Sequence, residues 1–214
     1  MLGEPLLIDA AEVLAVAIEE CGEALVAVAD FGIATAGDHP RVTSRDAMRF
    51  CCRVAVAEKL VRAQSALPGE ICLCVAECYR PLSLQQRYWE HVNVKLRAAH
   101  SSWSDTEVAA EAAKYVAPPW ITPPHSTGGA VDLVLIAHDG VELDMGCALN
   151  EQCPQMMTDA KGLSLRAIAN RQLLVDAMES AGFVNYGHEW WHYSYGDRYW
   201  AFQTNAPAAV YGGK

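Results

Sequence analysis

Helical and strand-like periodicity fall in different parts of this chain, and that separation restricts its fold more than any other feature. Apolar residues recur at helical spacing over residues 6–20. A second helical stripe follows Ser44, read as an N-cap, to about Gln64, through Met48, Cys52, Ala55, Val56 and Leu60. Leu67-Pro68-Gly69 ends it, and Arg80-Pro81 leads into a helix over 83–99. Ser104-x-x-Glu107 forms a capping box ahead of an alanine-rich run ending near Val116. Short strands are expected at 24–29 and 70–77. After the proline-broken loop 117–124, residues 130–136 and 141–145 read as a hairpin around Asp139-Gly140. Ser164 caps a helix to about Ser180, with Gly182 at its stop, and the aromatic run 183–202 reads as strands broken by Gly187 and Gly196-Asp197. Helices early and strands late predict an α+β fold, with helices packed on a small antiparallel sheet.

The length of 214 residues suits a single domain spanning 1–214. Apolar residues make up 52% and charged residues 20%, as in a globular protein. No stretch reaches the ~18 uncharged apolar residues of a membrane span. The net charge of −10, without a basic block, argues against nucleic acid or an anionic membrane as a partner. Residues 1–14 carry no basic region before their apolar run, so no secretory signal is read and a cytoplasmic location is expected. The eight cysteines are then expected to be reduced, mostly buried and acting as small hydrophobes, with Cys51 and Cys52 inside a helix. A zinc–thiolate site is the sharper alternative, but no C-x2-C pair is present and Cys74-x3-Cys78 straddles a strand and its exit.

Three segments carry chemistry. The first is His125-Ser-Thr-Gly128-Gly-Ala130-Val-Asp132; the second is Glu189-Trp190-Trp191-His192; the third is Tyr79-Arg80-Pro81, directly after a strand. A catalytic zinc takes three ligands from His, Asp or Glu and keeps one position open. His125 and Asp132 reach one ion if Gly128 and Gly129 fold the chain back between them. On a strand Glu189 and His192 would face opposite sides, whereas a bulge or turn near Gly187 brings both to the site. Spacing alone leaves these options open. Either motif by itself also fits a hydrogen-bonded core histidine. Of the adjacent tryptophans one fills the core and the other, Trp191, walls a pocket. His39, His91, His100 and His138 have no motif around them and read as surface residues, and His188 as exposed.

Taken together, the three segments resemble the D-alanyl-D-alanine dipeptidase family of vancomycin resistance and cell-wall dipeptide recycling. That family lies within the zinc D-Ala-D-Ala carboxypeptidase group, whose fold is shared with the hedgehog signalling domain. The resemblance runs from about Arg45 to Phe202 and includes Met145-Gly146. It implies one zinc held by His125, Asp132 and His192, Glu189 as catalytic base, and Arg80 steadying the substrate carbonyl. It implies a small peptide substrate, with no nucleic acid or membrane partner. Two positions depart from the family pattern: Pro123 stands for a serine and Asn150 for an aspartate that helps bind a free amino group. A tyrosine expected near Leu25 is also missing. The expectation is hydrolysis of D-Ala-D-Ala or a related small peptide containing a D-residue, with an altered N-terminal pocket around Asn150, Pro123 and Trp191. A catalytically silent zinc-binding module, or a D,D-carboxypeptidase acting on longer wall peptides, is the alternative.

Overall fold

A computed structural model describes residues 5–42 and 44–214. Its elements in chain order are α1 (Ala11–Leu14), β1 (Leu25–Ala27), β2 (Ala34–Thr35), β3 (Cys51–Arg53), α2 (Val54–Ala66), β4 (Ile71–Glu77) and α3 (Leu82–Ala99). They continue with α4 (Asp105–Ala112), α5 (Pro124–Thr127), β5 (Ala130–Ala137), α6 (Leu165–Ser180), β6 (Val184–Asn185), β7 (His192–Ser194) and α7 (Arg198–Thr204). Five strands make one sheet in the order β2-β4-β5-β7-β6, antiparallel except for the β2–β4 edge, and β1 pairs with β3 in a separate two-stranded sheet. This is the expected α+β class, with one parallel edge pairing added.

The two longest strands, β4 and β5, form the centre of the molecule. Leu73, Val75, Leu133 and Leu135 on them are fully buried, in one cluster with Val56 and Leu60 of α2 and Leu174 and Met178 of α6. Burying each such side chain contributes roughly 1.5–3 kcal/mol, so this cluster is the main source of stability. Among the described residues no helix is long and apolar enough to cross a membrane.

Four expectations are corrected. The stripe over 6–20 is helical only at α1; residues 19 and 21 instead bond to the Ala209 and Val210 carbonyls near the C-terminus. Ser44 caps no helix, and Cys51 and Cys52 lie on β3, not inside a helix. The cause is Arg53: fully buried, it donates to Thr127 O, Glu23 O and Gly212 O and pairs with Glu20, which commits 51–53 to β1 and delays α2 to Val54. The second arm of the hairpin is a single bridge, Ile136 to Glu142, rather than a strand over 141–145. Finally, the aromatic run ends in a helix, α7, because Asp197 accepts from Trp200 N and caps it.

Candidate metal centre and cleft

Sheet register builds the site. Asp132 on β5 is the cross-strand partner of Glu77 on β4 and of His192 on β7. Directly opposed residues project to the same face, so three polar side chains stand in a row at one end of the sheet. A register shift between Val75 and Glu77 lets the end of β4 join that row. All three are buried.

His125 arrives from the other side. It sits in α5, a single turn started by Pro124 and ended by Gly128 at φ +76°, rather than in an open loop. Of the two adjacent glycines, Gly128 uses the left-handed region and Gly129 does not. Gly129 is required for a different reason: a Cβ there would stand 2.4 Å from Tyr195 O, where β7 leaves the sheet.

The donor atoms converge. His125 Nε2 lies 3.3 Å from Asp132 Oδ2 and 3.2 Å from His192 Nδ1, and His192 Nδ1 lies 3.0 Å from Asp132 Oδ1. Donors held at ~2.0–2.1 Å from one tetrahedral ion stand about 3.3 Å apart, so the spacing fits a single cation. The outer partners fit as well. His125 Nδ1 donates to Cys78 O at 2.7 Å, which leaves Nε2 with its lone pair toward the cluster. His192 Nε2 faces Ser194 Oγ at 3.5 Å. Behind them is buried Asp197, whose carboxyl is raised by burial against the opposing pull of Trp200 N and Ser194. Burial raises Asp132 too, but the neighbouring histidines outweigh it and hold its carboxyl far below the usual range. Burial pushes His192 down, toward the neutral form that ligates metals.

Glu189 and His192 reach the same place by a turn, not by extended chain. Glu189 N donates to Tyr186 O and His192 N to Glu189 O. The Asn185 side chain straps that turn through the carbonyls of Glu189 and His192. Burial and the Asp132 charge push the Glu189 carboxyl up to about 8, against the opposing charge of Arg80 and the indole of Trp191.

Arg80 is locked on one side. Its Nε and one terminal nitrogen bind both oxygens of Glu77 (3.1 and 2.6 Å), and the other terminal nitrogen donates to Gln85 Oε1 at 2.9 Å. Burial disfavours its charge, but Glu77 more than restores it. Backbone bonds tie Arg80 to the histidine, since Arg80 N donates to His125 O and Ser126 Oγ to Arg80 O.

Two adjoining chambers open on these residues. One, about 70 Å³, is lined by His125, Asp132, His192, Glu189, Arg80 and Pro123. The other, about 180 Å³, shares Arg80, Asn150 and Glu189 and adds Trp191, Arg41 and Glu151. All eight residues singled out in the sequence therefore lie on one cleft. Trp191 walls the larger chamber, while Trp190 is turned away beside Met145 and Leu149. Asn150 adopts φ +56° and its amide donates to Arg41 O.

Several cleft residues carried no motif: Asp9, Glu77, Gln85, Tyr115 and Tyr186. Asp9 comes from the N-terminal segment, and burial raises its carboxyl. A buried acid three residues before Arg80 was the available signal for Glu77. Two histidines are corrected: His39 is buried and bonds Glu142, and His188 is half-buried against Pro5 O. Only Cys52, Cys74 and Cys78 of the eight cysteines are buried.

The sequence matches the Peptidase M15 family, described as D-ala-D-ala dipeptidase, over residues 36–208. The chain belongs to the D-Ala-D-Ala dipeptidase family. A D-alanyl-D-alanine dipeptidase of Synechocystis sp. is 28% identical across 90% of both chains. One from Enterococcus faecalis is 38% identical over 38% of this chain and 43% of its own. Among solved structures, the LdcB LD-carboxypeptidase superposes with a TM-score of 0.51 at 18% identity, over 87% of this chain and 75% of that one, which places the two in one fold. Peptidase activity of this chain follows from membership of that family.

Proposed function

We propose that this chain is a zinc-dependent dipeptidase that hydrolyses D-Ala-D-Ala or a closely related small peptide containing a D-residue. The observation carrying this reading is the convergence of His125, Asp132 and His192 in a cleft that Glu189 and Arg80 also line. Those three residues would hold the ion. Two nitrogens and a carboxylate are a donor set that zinc favours. Bound there, zinc supplies Lewis acidity and brings the pKa of water toward ~7.

The protein's own groups do the rest. With a cation held by His125, Asp132 and His192 to offset the Asp132 charge that raises it, Glu189 would be the carboxylate that takes the proton of the attacking water and passes it to the leaving amine. Three N–H groups of Arg80 are committed to Glu77 and Gln85, which leaves two of its five for the substrate carbonyl oxygen as charge builds there. Such a donor contributes roughly 3 kcal/mol. Asn150 offers no charge to a substrate ammonium group, and Asp9 is the carboxylate through which the N-terminal segment supplies one.

A panel of D,D-, L,D- and D,L-dipeptides, free and N-acylated, tests the reading. Hydrolysis of free D,D-dipeptides, abolished by a chelator and restored by zinc, is expected. Turnover that survives complete zinc removal, or none on any dipeptide by the zinc-loaded protein, would refute it.

A further inference from the structure

The loop between Met145 and Thr158 forms one wall of the larger chamber through Asn150, Glu151 and Gln152. One side chain bonds both of its feet. Arg171 of α6, itself buried, donates from Nε to Met145 O at 2.8 Å and from its terminal nitrogens to Gln155 O (2.6 Å), Met157 O and Thr158 O. Just inside these feet stand Cys147 and Cys153, with their sulfurs 2.7 Å apart. A disulfide bond is ~2.05 Å long, so bonding requires a closure of about 0.7 Å between groups the fold already holds together. Both cysteines are half-exposed and open to a small reagent.

We propose that Cys147 and Cys153 are a disulfide-forming pair that staples the loop wall of the cleft. A C-x5-C spacing matches no metal motif in the sequence, and Arg171, from α6, bonds both feet of the loop that carries the pair. Glu151 completes a possible metal cluster with the two sulfurs. Its carboxylate is already engaged, accepting from Ala148 N at 3.0 Å and facing Arg41 at 3.7 Å, which favours sulfur–sulfur bonding over metal capture. The oxidant class is a small-molecule disulfide such as oxidised glutathione. One cysteine thiolate attacks it and releases one thiol; the second cysteine then displaces the other from the mixed disulfide. The two cysteines lose two electrons and two protons, and the reagent gains both. The proposal is independent of whether the metal centre hydrolyses peptides.

The test uses the full chain, reduced, freed of reductant and exposed to oxidised glutathione, with exposed Cys21 reporting that the reagent has acted. Cleavage after Glu151 should give two fragments joined through Cys147 and Cys153, the joined pair lighter by two hydrogens than the two thiol fragments together. Closing so short a loop should raise Tm by about 5 °C. In Cys147→Ser, Cys153 should instead retain a glutathione adduct. The proposal is overturned if Cys147 and Cys153 stay alkylatable while Cys21 reacts, or if wild-type protein keeps a mixed disulfide at either position. A second zinc per chain, lost in Cys147→Ser, would also overturn it, assigning the pair to a thiolate metal site.

Discussion

The cleft has two walls of different construction. On the sheet side, His125, Asp132, His192, Glu77 and Arg80 are tied to one another or to backbone at fixed positions, each partner set by strand register or a tight turn. On the loop side, Asn150, Glu151 and Gln152 sit on irregular backbone, half-exposed or exposed, held by the Arg171 bonds at the loop's feet and by single contacts to Arg41 and Ala148 along it. The sheet wall gives reacting groups a precision that hydrolysis requires. Of the two positions where a departure from the family pattern is expected, Asn150 lies on the loop wall and Pro123 beside His125 on the other.

The largest way to break this contrast is at Arg80. Arg80→Lys keeps a charge but loses the planar fork that grips Glu77 while presenting N–H groups to substrate. We expect kcat to fall roughly 10²–10³-fold, with zinc content unchanged, read by steady-state kinetics and metal analysis. A loss below tenfold would show that Arg80 only braces Glu77.

A change without chemistry should also be felt on the sheet side. Gly129→Ala drives a Cβ to 2.4 Å from Tyr195 O and strains the bond from Tyr195 N to Gly129 O. We expect a loss of about 1–3 kcal/mol in urea unfolding. No loss would mean that the fold-back between His125 and Asp132 is looser than described.

The loop wall should respond in binding rather than turnover. Asn150→Asp keeps a residue that tolerates φ +56°, gives up the bond to Arg41 O and gains a charge facing the cleft. The KM for free dipeptides should fall about fivefold, equivalent to roughly 1 kcal/mol, with kcat little changed. An unchanged ratio of free to N-acylated dipeptide turnover would count against Asn150 as a recognition residue.

The smallest effect lies outside the cleft. Burial raises the Glu20 carboxyl, but Arg53 and the N–H groups of Gly212 and Gly22 prevail and hold it at about 2, against an ordinary 4.5. Because the folded value is depressed, the contribution is complete above 4.5 and disappears as pH falls toward 2. Glu20 is partly exposed, so less than about 1 kcal/mol is expected. Urea midpoints of wild type and Glu20→Gln should stay apart above about pH 4.5 and converge as pH falls toward 2.

The same contrast explains what could be read in the sequence. The capping box at Ser104, the helix from Ser164 and the strand before Arg80 follow local rules and appear where expected. The clustered His125, Asp132 and His192 were legible because their motifs point to one site when taken together. Tertiary facts were not legible. Arg53 pulls its segment into a strand through partners 30 to 159 residues away, and Glu77 joins the site through a register shift. The opposition of Glu77, Asp132 and His192 exists only once three distant strands pair.

The central claim is that the sheet-side residues form a hydrolytic zinc centre worked by Glu189. The most direct measurement is the rate of D-alanine release from D-Ala-D-Ala by wild type and Glu189→Gln, each first shown to hold one zinc. The account predicts equal zinc and a kcat lower by roughly 10²–10⁴-fold in the variant. Equal zinc with equal rates would contradict it.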